Sequence, residues 1–428
     1  MHRLCHTPQL WSSIHITDAK SLLTPFSIFV LCGKGRFIQN LSIDLRHNDI
    51  TDAVLFCLAS SCTSLVSLSL YKREDSILST TRINTFPVDV LFHFLSSSKF
   101  IRSLTFTDSV FIDDSHLVKL LPRLQMIQEI NLSGCSSITD SILIRLSQQC
   151  PSLQILDISR LSITGRCLES LFRYCSYLRV LRANYCLSFQ SDSFDVIPID
   201  CLNQLTELSI VQTPVSLEQA LNFCTSLRAL LATESLHDSI LIPFLIRNHS
   251  LEVLHMGVGC RVTISSLLTA LQTCGPTLQS LTFHPFKEFG IPSDETIRII
   301  CERCPRLRNL SFACSREIST FWVIQLLDRL KIETLALFGW ENANSSTLRI
   351  ISQHVKYLKV FCTSECVKVT ANGIVDFVSN CPSLETVKFN ETGANVGQDG
   401  RLDPIVVQEI RKLFPEAMET TPGTIVLK

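Results

Sequence analysis

A unit of about 26 residues recurs along most of this chain, and that period restricts the possible architectures more than any single residue does. Its fullest copy is IQEINLSGCSSITDSILIRLSQQCPSL, residues 127–153. Apolar residues at Ile127, Ile130 and Leu132 predict a short strand, and Cys135 closes the turn that follows. Ile138-Thr139-Asp140 then starts a helix with an inner stripe of Ile142, Leu143 and Leu146. Cys150-Pro151 ends that helix, and Leu153 begins the next strand.

The strand phrase returns as LQILDIS (153–159), LRVLRAN (178–184), LTELSIV (205–211), LRALLAT (227–233) and LEVLHMG (251–257). It continues as LQSLTFH (278–284), LRNLSFA (307–313), IETLALF (332–338), LKVFCTS (358–364) and LETVKFN (384–390). Upstream, FIQNLSID, SLVSLSLY and FIRSLTFT carry it at Ile38, Leu65 and Ile101. Roughly 14 strands at this spacing are what leucine-rich repeats require. Each strand-plus-helix has one apolar face that it cannot bury alone, so neighbours stack and share a core. Burying each anchor Leu or Ile contributes about 1.5–3 kcal/mol. The expected fold is an α/β leucine-rich-repeat solenoid, a horseshoe with a parallel sheet on the concave side and helices on the convex side.

With 46% hydrophobic residues the chain can build a large core. A formal net charge of -1 and the lack of any Lys/Arg-rich run predict neither a nucleic-acid nor an acidic-membrane partner. The apolar stretch 26–32 is too short to span a bilayer, and the N-terminus lacks a signal peptide's order of charge, apolar run and cleavage site.

Nineteen cysteines raise the question of disulfides or metal, and the repeat answers it. Cys62, Cys150, Cys175, Cys224, Cys274, Cys304 and Cys381 fall at helix ends. Cys135, Cys186, Cys260, Cys314 and Cys366 fall in the turn after the strand, where a thiol is a small buried filler. Cys301-Glu302-Arg303-Cys304 has CxxC spacing, but both sulfurs sit on one repeat's helix and no second CxxC follows. Thiols in this number fit a reducing compartment, so a cytoplasmic or nuclear location is expected.

This sequence resembles the cysteine-containing, ribonuclease-inhibitor-like leucine-rich repeats of F-box proteins. The residues that carry the resemblance are Cys135, Ile138-Thr139-Asp140 and Cys150-Pro151-Ser152-Leu153, with further copies at Asn48-Asp49-Ile50-Thr51-Asp52 and Cys381-Pro382-Ser383-Leu384. It covers about 350 residues; the copy at 205–227 is short and lacks the turn Cys, and the copy at 278–307 is long. Ahead of the repeats, Pro8-Gln9-Leu10-Trp11 looks like the last stretch of an F-box, whose Trp packs against the first repeat. An ordinary solenoid cap built from Leu10, Trp11 and Ile14 is the other reading. The family's preceding helices, which hold most of the adaptor-binding surface, do not occur in these residues. Either an in-frame F-box lies upstream of Met1, or the adaptor contact has been lost. The expected organisation is an F-box remnant or cap over 1–30, repeats over 31–390, and a C-terminal cap and loose tail over 391–428.

The resemblance implies the substrate-receptor arm of a Skp–cullin–F-box ubiquitin ligase, with a Skp-family adaptor and a cullin as further partners if the F-box is complete. A ligase-independent interaction scaffold is the alternative. Both agree with the sequence, which holds no Ser/His/Asp set, no H-E-x-x-H and no G-x-x-x-x-G-K-[ST], so no enzyme activity, cofactor or metal is expected. Gly33-Lys34-Gly35 is read as a turn, and His255 and His284 lack ligand spacing.

Outward strand positions are mostly small and uncharged, among them Ser42, Ser69, Asn131, Ser280 and Thr282, with Asp44, Glu129, Asp157, Arg182, Asn184, Glu207, His255 and His284 also falling there. Such a floor suits close approach of a protein partner. It does not suit a phosphorylated ligand, which calls for clustered Arg and Lys. Loops should therefore carry much of the specificity. One holds Tyr71 and Arg73; another, at 284–290, holds Phe286 and Phe289; Phe338 and Trp340 lie at the equivalent edge of a later repeat. These rings are either binding anchors or plugs between unequal repeats. Leu10 and Trp11 are the adaptor-side candidates.

Overall fold

The computed structural model describes residues 8–16, 25–44, 52–71, 88–109, 111–313, 315–364, 368–390, 395–396, 401–421 and 423–427. They fall into two compact units, Met1–Cys224 and Thr225–Lys428.

In the N-terminal unit, β1 (Ser13–Ile16) leads into α1 (Pro25–Lys34), β2 (Asn40–Asp44), α2 (Asp52–Ser61), β3 (Ser67–Tyr71) and α3 (Val88–Ser97). Then come β4 (Ser103–Thr105), α4 (Asp114–Leu120), β5 (Glu129–Asn131), α5 (Asp140–Gln149), β6 (Ile155–Asp157) and α6 (Cys167–Tyr174). β7 (Val180–Arg182), α7 (Ile199–Leu202), β8 (Glu207–Ile210) and α8 (Glu218–Phe223) finish it. Successive strands from β1 to β8 pair in parallel. Their register aligns Leu41, Leu68, Leu104, Ile130, Leu156, Leu181 and Leu208 in one buried file.

The C-terminal unit repeats the scheme through β9 (Ala229–Ala232), α9 (Asp238–Arg247), β10 (Val253–Met256), α10 (Ile264–Thr273), β11 (Ser280–Phe283) and α11 (Asp294–Arg303). It continues with β12 (Asn309–Phe312), α12 (Thr320–Arg329), β13 (Thr334–Phe338), α13 (Ser345–Ser352), β14 (Val360–Ser364), α14 (Ala371–Ser379) and β15 (Thr386–Asn390). Strands β9 to β15 are parallel. Here the buried file starts as Leu230, Leu254, Leu281, Leu310 and Leu335, then widens to Phe361. Phe361 packs on Phe377 and Phe389, with ring centroids 5.0 and 5.9 Å away.

After β15, β16 (Asn395–Val396) and β17 (Arg401–Leu402) form a small antiparallel pair before α15 (Pro404–Leu413). Residues expected to be a loose tail form β18 (Met418–Thr421) and β19 (Thr424–Val426), and β19 lies antiparallel on β15. Ile425 and Leu427 are buried there, so the hairpin covers an edge strand that would otherwise offer unpaired backbone groups. Among the described residues no helix is long and apolar enough to cross a membrane.

Two polar devices join neighbouring repeats. The first explains the Thr-Asp pair at helix starts. Asp140, the first residue of α5, accepts hydrogen bonds from the backbone N–H groups of Thr164 (2.7 Å) and Cys167 (3.2 Å) in the following repeat. Asp114 does the same for Thr139, Asp238 for Thr263 and Asp294 for Ser319. A carboxylate in the first helical turn also complements the helix dipole. Burial alone would raise the Asp238 pKa, but bonds from Ser266 and Thr263 outweigh it and hold the carboxyl below its ordinary value.

The second device is the turn cysteine. Cys135 donates to the Phe106 carbonyl (2.8 Å) and Cys186 to that of Ile158 (3.1 Å), each in the preceding repeat. Burial pushes the Cys135 thiol up to about 12 and that of Cys186 to about 11, so both stay protonated donors. In the repeat that lacks the turn Cys, Thr213 takes the place and donates to Ala183 (2.6 Å). Ser109 does so toward Leu70 (3.2 Å). The position thus asks for a hydrogen-bond donor rather than for sulfur. Cys314 and Cys366 lie outside the described residues.

Candidate functional site

Strand alternation sends one file of each sheet inward and leaves the residues between them on the open face. In the N-terminal unit that face is charged at its centre. Arg182 on β7 stands in register with Asp157 and donates from Nε to Glu207 Oε1 at 2.6 Å. The bond to Glu207 raises the guanidinium's pKa most, burial opposes it, and the charges of Glu207, Asp157 and Glu129 add to the rise. Three carboxylates around one cation leave this face acidic.

Asn184, expected to meet a partner, braces its own neighbour instead. Its Oδ1 accepts from the Ser209 hydroxyl (2.8 Å) and the Val211 N–H (2.7 Å), which fixes the end of β8. Asp44, expected on the open face, is fully buried.

The edge where strands end holds residues that sequence reading missed. Asp108, Arg160, Tyr185 and Gln212 adopt left-handed backbone, with φ of 53°, 59°, 57° and 51°. Gly134 has φ 76° at the same point of its own repeat. A left-handed non-glycine costs roughly 1–2 kcal/mol, and such residues gather where the chain must aim a side chain. Arg160 pairs with Asp108 at 2.8 Å, while Tyr185 and Leu187 stand 47% and 73% exposed. No composition signal marks these turns, because only one of the five is glycine.

The open face of the C-terminal unit is largely uncharged, with Lys388 on β15, in register with Cys362, as an exception. His284 lies 2.8 Å from the Ser311 hydroxyl and edge-on to Phe338, with ring centroids 5.4 Å apart, so two of the expected site residues meet. Burial, then the charge of His255, pushes the His284 imidazole down to about 4, and burial lowers His255 as well. Both rings are uncharged at neutral pH. Gly257 makes room for His255: a Cβ there would come within 2.6 Å of the ring.

Trp340 requires a correction. It is fully buried, and its indole N–H donates to the Ile318 carbonyl at 2.8 Å. It follows β13 as Cys135 follows β5 and Cys186 follows β7, so a large ring with one donor fills the place of the turn thiol. It is a plug, not a surface anchor. Phe286 behaves differently: it is 47% exposed and leans on half-buried Phe289 at 6.3 Å. Tyr71 ends β3 half-buried, and Arg73 lies outside the described residues.

At the N-terminus, Pro8–Trp11 is a 3-10 turn running straight into β1, a strand the sequence reading had not placed. Trp11 is half-buried and Leu10 is 57% exposed. The alternation Ile14, Ile16 was the available signal for β1.

No family model matches the chain. Among solved structures, a chain from the crystal structure of the Rad7 and Elc1 complex in yeast matches with a TM-score of 0.51, covering 78% of this chain and 77% of that one at 16% identity. The chain is a leucine-rich-repeat solenoid. The leucine-rich repeat-containing protein LegL7 from Legionella pneumophila covers 79% of this chain and 98% of its own at 11% identity, with a TM-score of 0.30, too low to bear on the fold. At such identities the likeness concerns the fold alone.

Proposed function

We propose that this chain is a non-catalytic receptor that holds a protein partner on its strand faces and loops, and that it presents this partner as the substrate arm of a Skp–cullin–F-box-type ubiquitin ligase. The observation that carries the ligase reading is the Pro8–Trp11 turn: it half-buries Trp11 and leaves Leu10 outward at the first strand. An adaptor docked there would be fixed relative to the repeats through β1, which pairs directly with β2. A receptor of this kind needs no reactive group of its own, because holding a target near a ubiquitin-loaded enzyme raises effective concentration. The yeast complex in which a chain of the same fold was crystallised, Rad7 with Elc1, supports a protein partner for such solenoids. The free cysteines, Cys62, Cys135 and Cys150 among them, fit action in the cytoplasm or nucleus.

Co-purification of the tagged protein with a Skp-family adaptor tests the reading. Recovery of the adaptor by the wild type and its loss in Leu10→Asp are expected. Should the full-length product, with any in-frame segment upstream of Met1, fail to retain the adaptor while still capturing another protein, the ligase role is wrong and a ligase-independent scaffold stands in its place.

A further inference from the structure

Where the chain enters β12 and β13, two turns of the C-terminal unit wall a cavity of about 420 Å³. Arg306, Arg308, Arg329 and Lys331 line it beside Gln279 and Pro305, and no carboxylate does. This place is the entry edge of the sheet, away from the outward strand positions.

Cations at helix ends have an ordinary explanation. Helices α11 and α12 both finish here, and each C-terminus carries about half a negative charge. That explanation falls short of the number of cations. Glu333, the nearby carboxylate on the strand entry, is already held by Arg308 (2.9 Å) and Lys359 (2.7 Å). Glu252, which accepts from Gln279 at 2.9 Å, faces Arg228 at 3.4 Å. Among the described residues no ion pair engages Arg306 or Arg329, and both are exposed. Lys331 has only the Tyr357 ring, 5.9 Å from its ammonium. Two half-charges offset about one of these three cations. A surplus of about two positive charges then faces an open cavity.

We propose that this cavity binds a phosphate monoester dianion. Two guanidinium forks match the tetrahedral oxygens of phosphate through paired N–H donors, and Lys331 adds a mobile point charge. The volume exceeds what a phosphate group alone occupies and leaves space for the side chain or ring that bears it. A strand floor without clustered cations led the sequence to argue against phosphorylated ligands. The cluster lies elsewhere, assembled from two repeats by stacking.

Two carriers share this chemistry: a phosphorylated side chain of a protein, and a free polyphosphate such as an inositol phosphate. Fluorescence anisotropy of the full chain with a labelled phosphoserine peptide and its unphosphorylated twin is the first arm. Inositol hexakisphosphate, followed by calorimetry, is the second. The phosphopeptide is expected to bind at least tenfold more tightly than its twin, with the preference falling below twofold in Arg306→Ala/Arg329→Ala. If instead only inositol hexakisphosphate binds with that dependence, the site stands and its carrier is the free polyphosphate. Arg306→Lys/Arg329→Lys retains charge but loses the forks, so weakening of threefold or more is expected there even if the alanine variant proves unstable. Equal binding of the peptide twins together with inositol hexakisphosphate binding that the variants leave unchanged would overturn the proposal.

Discussion

Strands β4 to β7 of the N-terminal unit span three residues each, and the chain leaves them through left-handed turns at Asp108, Gly134, Arg160 and Tyr185; β13 to β15 of the C-terminal unit run for five residues, and their core takes in phenylalanines. Inward files are alike in both units, leucine after leucine in register. Outward chemistry diverges: carboxylates around Arg182 in one, neutral imidazoles beside Phe338 in the other. Stacking constrains only what neighbouring repeats share. The face turned away from that contact can therefore differ between units without disturbing the fold.

The largest expected effect tests how far the aromatic core of the C-terminal unit is structural. Trp340→Ala should cost about 3–5 kcal/mol by cavity formation, and it leaves the Ile318 carbonyl with only the Asn342 amide as donor. Hydrogen exchange should accelerate most in β12 to β14, while β5 to β7 stay protected. Equal loss in both regions would break the contrast drawn between the units.

Protonation should separate the two faces next. His284 is neutral in the fold down to about pH 4 and titrates near 6.5 when unfolded. Its depressed pKa means that stability is complete above pH 6.5, falls as pH drops toward 4, and levels off below. The expected loss is on the order of 1–3 kcal/mol, and His284→Gln should flatten it in urea titrations across that range. The charged face of the N-terminal unit has no such group among its described residues, so a slope that survives the substitution places the proton uptake elsewhere.

Asp140→Ala and Asp238→Ala remove the same repeat-to-repeat bond from the two units. Each should lower stability by about 1–2 kcal/mol, as loss of a helix cap does. Clearly unequal values, measured by chemical denaturation, would show that the units do not share one stacking rule. Arg182→Ala leaves Glu129, Asp157 and Glu207 without their cation. A loss of about 0.5–1 kcal/mol that shrinks as salt is raised is expected. Smallest is Gln212→Gly, which relieves a left-handed turn but adds freedom to the unfolded chain; a net change of a few tenths of a kcal/mol fits that near-balance.

Period and alternation made the fold legible, because every copy of the strand phrase repeats the same burial requirement. The helix-end and turn cysteines were legible for the same reason. Thr213 and Trp340 were not recognised at the turn position, since a hydroxyl or an indole can supply the donor that the pattern suggested must be a thiol. The left-handed turns gave no warning: Asp108, Arg160, Tyr185 and Gln212 are held there by the repeats around them, not by their own preference. The basic cavity was hidden by distance along the chain. Arg306 and Arg308 belong to one repeat, Arg329 and Lys331 to the next, and only stacking brings them to one wall.

The aspartate bonds between repeats run in one direction. Each carboxylate waits at the start of its own helix for the backbone of the repeat that follows. On the ribosome, where the first repeats emerge first, every finished unit would hold a ready acceptor for the segment still being made. The ladder would then grow in the order of synthesis, each rung seating the next.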